Sequence, residues 1–326
     1  MKEPSYYDAI VHSWQVVWHH KTLWALGLLS AFLGQFGLSD FFARLWFLQT
    51  NGAVLNLAQG FWANFGFVNQ ASLTAGNIAG LIWLGLLGLG IMIVLIFVAI
   101  TAQGALIIYV SAWFKNKKYS DFYKAWHKSV SHFWSMFWVV AVFRLVCVFM
   151  LGLAALIIKY YSILQSGSYQ FLIGFSLGLI LFFYLVFSII YIYSLAYVVV
   201  DNNRARQALS KAVKLFSRHL LVSLEVGVML VFFNLVLFVL LATVLILAYI
   251  PALIIWIFAG IFNLTALAKF GFALGALLWI IMIVLSASVF NAFNIGAWTY
   301  LFVKMHKHGI SSRIVDFFGR LSRLKK

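Results

Sequence analysis

The sequence predicts an all-α polytopic bundle of membrane-spanning helices, and three observations carry that prediction. The chain of 326 residues is 65% hydrophobic and only 9% charged, too little polar side chain to cover a globule in water. Its apolar residues gather into runs long enough for a hydrocarbon core of about 30 Å, which takes roughly 20 helical residues. Its cations lie between those runs and almost entirely on one side of them, as the basic loops of membrane proteins do.

The apolar runs lie near 22 to 39, 78 to 114, 133 to 158, 170 to 200, 220 to 250 and 271 to 303, which makes six spans. The first is short, whereas the second, fourth and sixth are long enough to tilt or to project from the lipid. Residues 251 to 264, "PALIIWIFAGIFNL", follow a proline and are too short to cross, so they are expected as an interfacial or re-entrant segment broken from the fifth span at Pro251. With six spans, nineteen of the 23 Lys and Arg fall on one side, and only Arg44, Lys159 and Lys269 fall opposite, with Arg144 inside the third span. All eight histidines share the basic side. This asymmetry expects a multi-pass protein of the cell (cytoplasmic) membrane with both termini in the cytoplasm. The N-terminal segment lacks a signal peptide's short apolar core and cleavage site, so translocation is expected to be directed by the spans.

Four segments beside the spans have the pattern of amphipathic helices. In "DNNRARQALSKAVKLFSRH", 201 to 219, the apolar stripe is Ala205, Ala208, Leu209, Ala212, Val213 and Phe216, with Arg204, Lys211, Lys214 and Arg218 opposite. Residues 4 to 20 place Ile10, Val11, Trp14, Val17 and Trp18 on one face, and 120 to 133 and 311 to 326 repeat the design. These helices are expected to lie at the cytoplasmic interface with apolar faces among headgroups. Their cations, including Lys124, Lys128, Arg313, Arg320 and Arg323, would then face anionic membrane lipids. Nucleic acid is set aside as a partner despite the net charge of +16, because the cations are shared among short segments tied to spans and no recognition fold accompanies them.

The apolar part carries a repeat. Three spans of the same direction open with GxxxG, at Gly76 and Gly80, Gly174 and Gly178, and Gly271 and Gly275. Ahead of each comes an amphipathic segment and a span of opposite direction. The chain therefore reads as one integral membrane domain, 1 to 326, of three parallel two-span repeats, about 1 to 114, 115 to 200 and 201 to 303, with a basic tail from 304 to 326. GxxxG itself expects close helix approach, which is packing and not chemistry.

Two ionised residues lie inside spans, Arg144 in the third and Glu225 in the fifth, and each is costly if it faces lipid. Their depths differ by about 9 Å along the axis, a gap the long arginine can largely close. Gln103, Asn291 and Asn294 are expected to complete an intramembrane polar cluster. One reading is an ion, proton or headgroup site serving a transporter or channel; the other is a structural pair that fixes helix arrangement. No HExxH, GxSxG, Walker loop, GxGxxG or paired carboxylates occur, and with seven acids in the chain no enzyme, cofactor or metal site is expected. The lone Cys147 supplies neither a disulfide nor a sulfur metal site.

The stretches "YYDAIVHSWQVVWHHKTLWALGLLSAFLG", "GALIIYVSAWFKNKKYSDFYKAWHKSV" and "AYVVVDNNRARQALSKAVKLFSRH" resemble the membrane domain of bacterial glycerophosphoryl diester phosphodiesterases and the uncharacterised polytopic proteins related to it. The resemblance covers nearly the whole chain and rests on layout and hydropathy. It implies a cytoplasmic-membrane protein of bacterial type without hydrolase activity of its own, since in that family the phosphodiesterase activity belongs to a separate soluble domain. Residues and resemblance together expect a non-enzymatic protein that organises membrane, or meets lipid or a cytoplasmic or membrane protein partner, through its basic face.

Overall fold

A computed structural model describes residues 6–31, 75–115, 121–164, 167–262 and 264–308. The described residues form nine helices: α1 (Tyr6–His19), α2 (Thr22–Ala31), α3 (Ala75–Phe114), α4 (Phe122–Ser131), α5 (Phe133–Leu164), α6 (Gly167–Val200), α7 (Ala205–Arg218), α8 (Leu220–Ile261) and α9 (Thr265–His308). Helix is the conformation that satisfies every backbone N–H and C=O within the segment, the condition that hydrocarbon imposes. Five of them, α3, α5, α6, α8 and α9, are long and apolar enough to cross a membrane, as a multi-pass membrane protein requires. The first expected span overlaps α2, and residues 32 to 39 of it lie outside the described residues.

The helices pack as a ring. Helices α3, α6 and α9 pack on one another at the centre. Between them sit α2, against α9 and α3; α5, against α3 and α6; and α8, against α6 and α9. The short helices follow the same order, α1 on α9, α4 on α3 and α7 on α6. Each central helix is buried over its C-terminal portion, for example through Ala99–Ser111 in α3 and Tyr191–Val199 in α6. The opposite portions are exposed, as with Trp83, Phe171 and Phe272.

Close approach is achieved at a few small residues. Gly27 of α2 lies against the Ser288 backbone and Ala292 of α9, and Gly104 of α3 against Ser129 of α4 and Met136 of α5. Ser129 Oγ donates to the Thr101 carbonyl at 2.7 Å, so α4 is bonded to the helix it covers. Of the GxxxG pairs, Gly271 and Gly275 meet Ala252, with Ile255 and Tyr249 respectively, in the seam between α8 and α9. Among the described residues Gly80, Gly174 and Gly178 have no neighbour within 4 Å of where a Cβ would stand, so the expected close packing is not seen there. Gly76 lies in the first turn of α3, and its surroundings fall outside the described residues.

Two other expectations are corrected. Pro251 does not break the fifth span: α8 runs through it to Ile261, and 251–261 is continuous helix. A proline removes one N–H, but within long apolar helices packed on a neighbour the break in the ladder is tolerated. The amphipathic stripe of 205–218 is also differently used. Ala208, Ala212, Leu215 and Phe216 are buried in the bundle, leaving only Leu209 and Val213 of the expected stripe exposed. Small alanines let α7 sit close on α6, so its inner face packs on protein and not among headgroups.

Gly27→Ala is expected to lower the thermal unfolding midpoint in detergent, because its Cβ meets backbone that cannot move away, an overpacking cost of roughly 1–3 kcal/mol. Gly178→Ala, with open space around it, is expected to leave the midpoint unchanged or raise it.

Candidate functional site: interior polar groups and the basic end

Of the five residues expected as one polar cluster, Gln103, Asn291 and Asn294 bond to three different helices. Gln103 of α3 is fully buried, and its Oε1 accepts a hydrogen bond from the Tyr191 hydroxyl of α6 at 3.1 Å. Phe143 of α5 stacks on Tyr191 with ring centroids 4.4 Å apart, and Arg144, the next residue, acts on Tyr191 electrostatically. Arg144, Gln103 and Tyr191 thus form one group joining α5, α3 and α6. Asn291 of α9 belongs elsewhere: its Nδ2 donates to the Gly27 carbonyl at 3.0 Å and to Ser30 Oγ at 2.6 Å on α2. Beside it Ser288 Oγ donates to the Trp24 carbonyl. Asn294, also on α9, accepts from Asn234 Nδ2 of α8 at 2.9 Å. Glu225 is half-buried on α8, two residues after Ser223, whose Oγ lies 3.0 Å from the Tyr193 hydroxyl of α6.

These bonds run from one helix to the next, each near the buried half of the bundle. Tyr191, Tyr193, Ser223, Asn234 and Ser30 were not among the expected site residues. Asn234 could have been noticed, as an amide within the apolar run 220 to 250. The tyrosines could not, because aromatic hydroxyls in a span look like ordinary interfacial residues.

The basic end carries the cations. Lys124, Arg204, Lys211, Lys214 and Arg218 are exposed, Lys128 is half-buried, and Arg313, Arg320 and Arg323 lie outside the described residues. Lys211 also has a local role. Asn202, in the left-handed region at φ 55, turns the chain out of α6, and Asn203 donates from Nδ2 to the Tyr197 carbonyl at 3.3 Å. Lys211 Nζ then donates to Asn203 Oδ1 at 2.9 Å, tying α7 to the end of α6. Among the described residues no group of three or more His, Cys, Asp or Glu side chains is placed to hold a metal ion.

Two histidines sit at the joints of this end. His20, between α1 and α2, has its Nδ1 3.2 Å from the Tyr109 hydroxyl of α3. Burial, and then the neighbouring His19, lower its proton affinity from the ordinary 6.5; burial and then Arg218 lower that of His219, between α7 and α8. No family model, curated protein or solved structure matches the chain.

A folded state that disfavours the protonated rings loses stability where the unfolded chain takes up protons first. That contribution is complete above the ordinary value of 6.5 and is lost as pH falls through it toward the lower folded values. The thermal midpoint in detergent is therefore expected to drop between about pH 7.5 and pH 5.5. The double variant His20→Gln, His219→Gln is expected to flatten that drop.

Proposed function

We propose that this is a non-enzymatic protein of the cytoplasmic membrane, with six spans in three parallel repeats and both termini inside, whose basic end meets anionic lipid. The observation that carries the reading is the seating of α7. Its small and apolar face is buried in the bundle, so Arg204, Lys214 and Arg218 are held outward on a fixed helix and not on a mobile loop. Exposed Leu209 and Val213 flank these cations, and Trp18, Trp134 and Trp138 are exposed at the same end. A surface that offers cations, indoles and aliphatic side chains together suits the headgroup region of a membrane. Each cation near an anionic leaflet contributes about 1 kcal/mol. The cyclic packing of the short helices and spans supports the repeat, since each unit of one short helix and two spans occupies the same relation to the next. The likeness in layout to the membrane domain of the phosphodiesterases agrees with a role that needs no catalytic group.

Within this reading the interior polar groups fix helix arrangement. The hydroxyl and amide bonds at Gln103, Asn291 and Asn294 are made between helices, which is what a structural role requires.

The test uses the full chain, because α7 owes its position to the bundle. Reconstituted in bilayers of mixed neutral and anionic lipid, the protein is expected to retain anionic lipid preferentially on gentle extraction, and less so at high salt. Arg204→Gln, Lys214→Gln and Arg218→Gln together remove three contributions of about 1 kcal/mol, so the preference should fall on the order of 100-fold. Lys211 is left in place for its bond to Asn203. Equal retention of both lipid types by the parent protein would end the anionic-lipid reading. Orientation is checked separately with single cysteines at Ser217 and Ser168 in a Cys147→Ser background, which should label from the cytoplasmic and external sides respectively.

A further inference from the structure

The α8–α9 hairpin is longer than α6, and contacts with α6 measure by how much. Tyr193 of α6 is level with Ser223 of α8, at 3.0 Å, and with Trp298 of α9, at a ring separation of 5.9 Å. From these marks α6 has 26 residues before its far end at Gly167, whereas α8 has 38 before Ile261 and α9 has 33 before Thr265. The surplus amounts to about 18 Å on α8 and about 10 Å on α9 at 1.5 Å per residue. A two-helix finger therefore projects beyond the far end of α6.

The finger is built to hold together. Ala252 and Ala259 are each 2% exposed in its seam, facing α9, where Gly271 and Gly275 let Ile255 and Tyr249 close in, and the Trp279 Nε1 donates to the Leu245 carbonyl at 3.2 Å. Its outside is apolar in every direction. Ile254, Ile257, Phe258 and Ile261 on α8, and Phe270 and Phe272 on α9, are all exposed. Lys269 is the one charged residue between Glu225 and Lys304. The shallow groove at the tip, lined by Trp256, Leu264 and Ala268, continues this character.

We propose that the finger is covered by acyl chains of the membrane that the bundle crosses. Three features choose lipid over water or protein. Water would have to accept a helical pair with exposed apolar side chains all round, at about 25 cal/mol for each Å². A protein partner, or a second copy, would cover one face and leave a polar rim, and here no face is polar. Helices that are apolar on every side and longer than their neighbours are accommodated in bilayers by tilt or by local thickening. The consequence is an uneven hydrophobic thickness, greater on the α8–α9 side than on the α5–α6 side, with Lys269 reaching from its methylene stem toward the headgroups. This inference rests on the chain's crossing a membrane and is independent of the anionic-lipid reading.

The experiment places single nitroxides in the full chain in liposomes, in a Cys147→Ser background, at Ile257 and Phe270 in the finger and at Phe182 on α6 as the lipid-facing control. All three are expected to be accessible to oxygen and shielded from a water-soluble nickel chelate. Nickel access at 257 and 270 with 182 shielded overturns the proposal in favour of a finger standing in water. Shielding of 257 and 270 from both reagents overturns it in favour of a protein cover. Nickel access at all three positions would instead overturn the membrane-spanning reading itself. A bimane at Phe272, quenched by brominated acyl chains if lipid covers the finger, repeats the measurement without a nitroxide.

Discussion

Asn291 holds the two ends of the chain together. In lipid, apolar surface gives helices little reason to prefer one another over acyl chains, so association depends on close backbone approach and on hydrogen bonds between helices. Both occur where α9 meets α2. The Asn291 amide bonds the Gly27 carbonyl and the Ser30 hydroxyl, Ser288 bonds the Trp24 carbonyl, and Gly27 has no side chain to keep the helices apart. These bonds join residues as much as 264 positions apart and convert a row of helices into a ring. The seating of α1 on α9 extends the same joint, with Ser13 against Gly296.

The remaining cross-links are graded along the membrane normal. Tyr191 with Gln103, Tyr193 with Ser223 and Ser129 with the Thr101 carbonyl all lie in the portion of the bundle nearest the short helices. Beyond them the bundle exposes long apolar surfaces, and the α8–α9 seam of alanine and glycine continues there. The short helices therefore do more than rest at an interface. By burying Ala125 and Ser129, or Ala208 and Ala212, each covers the end of a central helix where the backbone would otherwise meet headgroups and water.

The elements were legible because composition and run length report what lipid demands of a backbone, and α3, α5, α6, α8 and α9 follow from that demand alone. What was not legible concerns direction around the helix axis. The stripe of α7 could be read, but a stripe states that a face is covered and not by what, and Leu215 takes part in the burial where Leu209 and Val213 do not. The two asparagines of α9 show the same limit. Depth along a span can be counted from the interface, so Asn291 and Asn294 looked like members of one cluster, yet three residues along a helix leave two side chains roughly 60° apart around its axis. That places one toward α2 and the other toward α8. Pro251 misled for a different reason: its cost in a helix is judged in water, where a freed carbonyl gains a solvent partner by breaking the helix, and hydrocarbon offers no such alternative.

The closed order of the ring also sets an order of events in time. Helices α4 and α7 pack on the helix made just before them, so each can dock as soon as it leaves the ribosome. The helices α1 and α2 pack on α9, the last of the described helices to be made. Through most of synthesis the Gly27 carbonyl and the Ser30 hydroxyl lack the amide that will bond them, and α1 lacks the helix that will bury Val16 and Val17. Helices α1 and α2 thus reach their partner on α9 late, and in the interval α2 is held by α3, the long span that follows it.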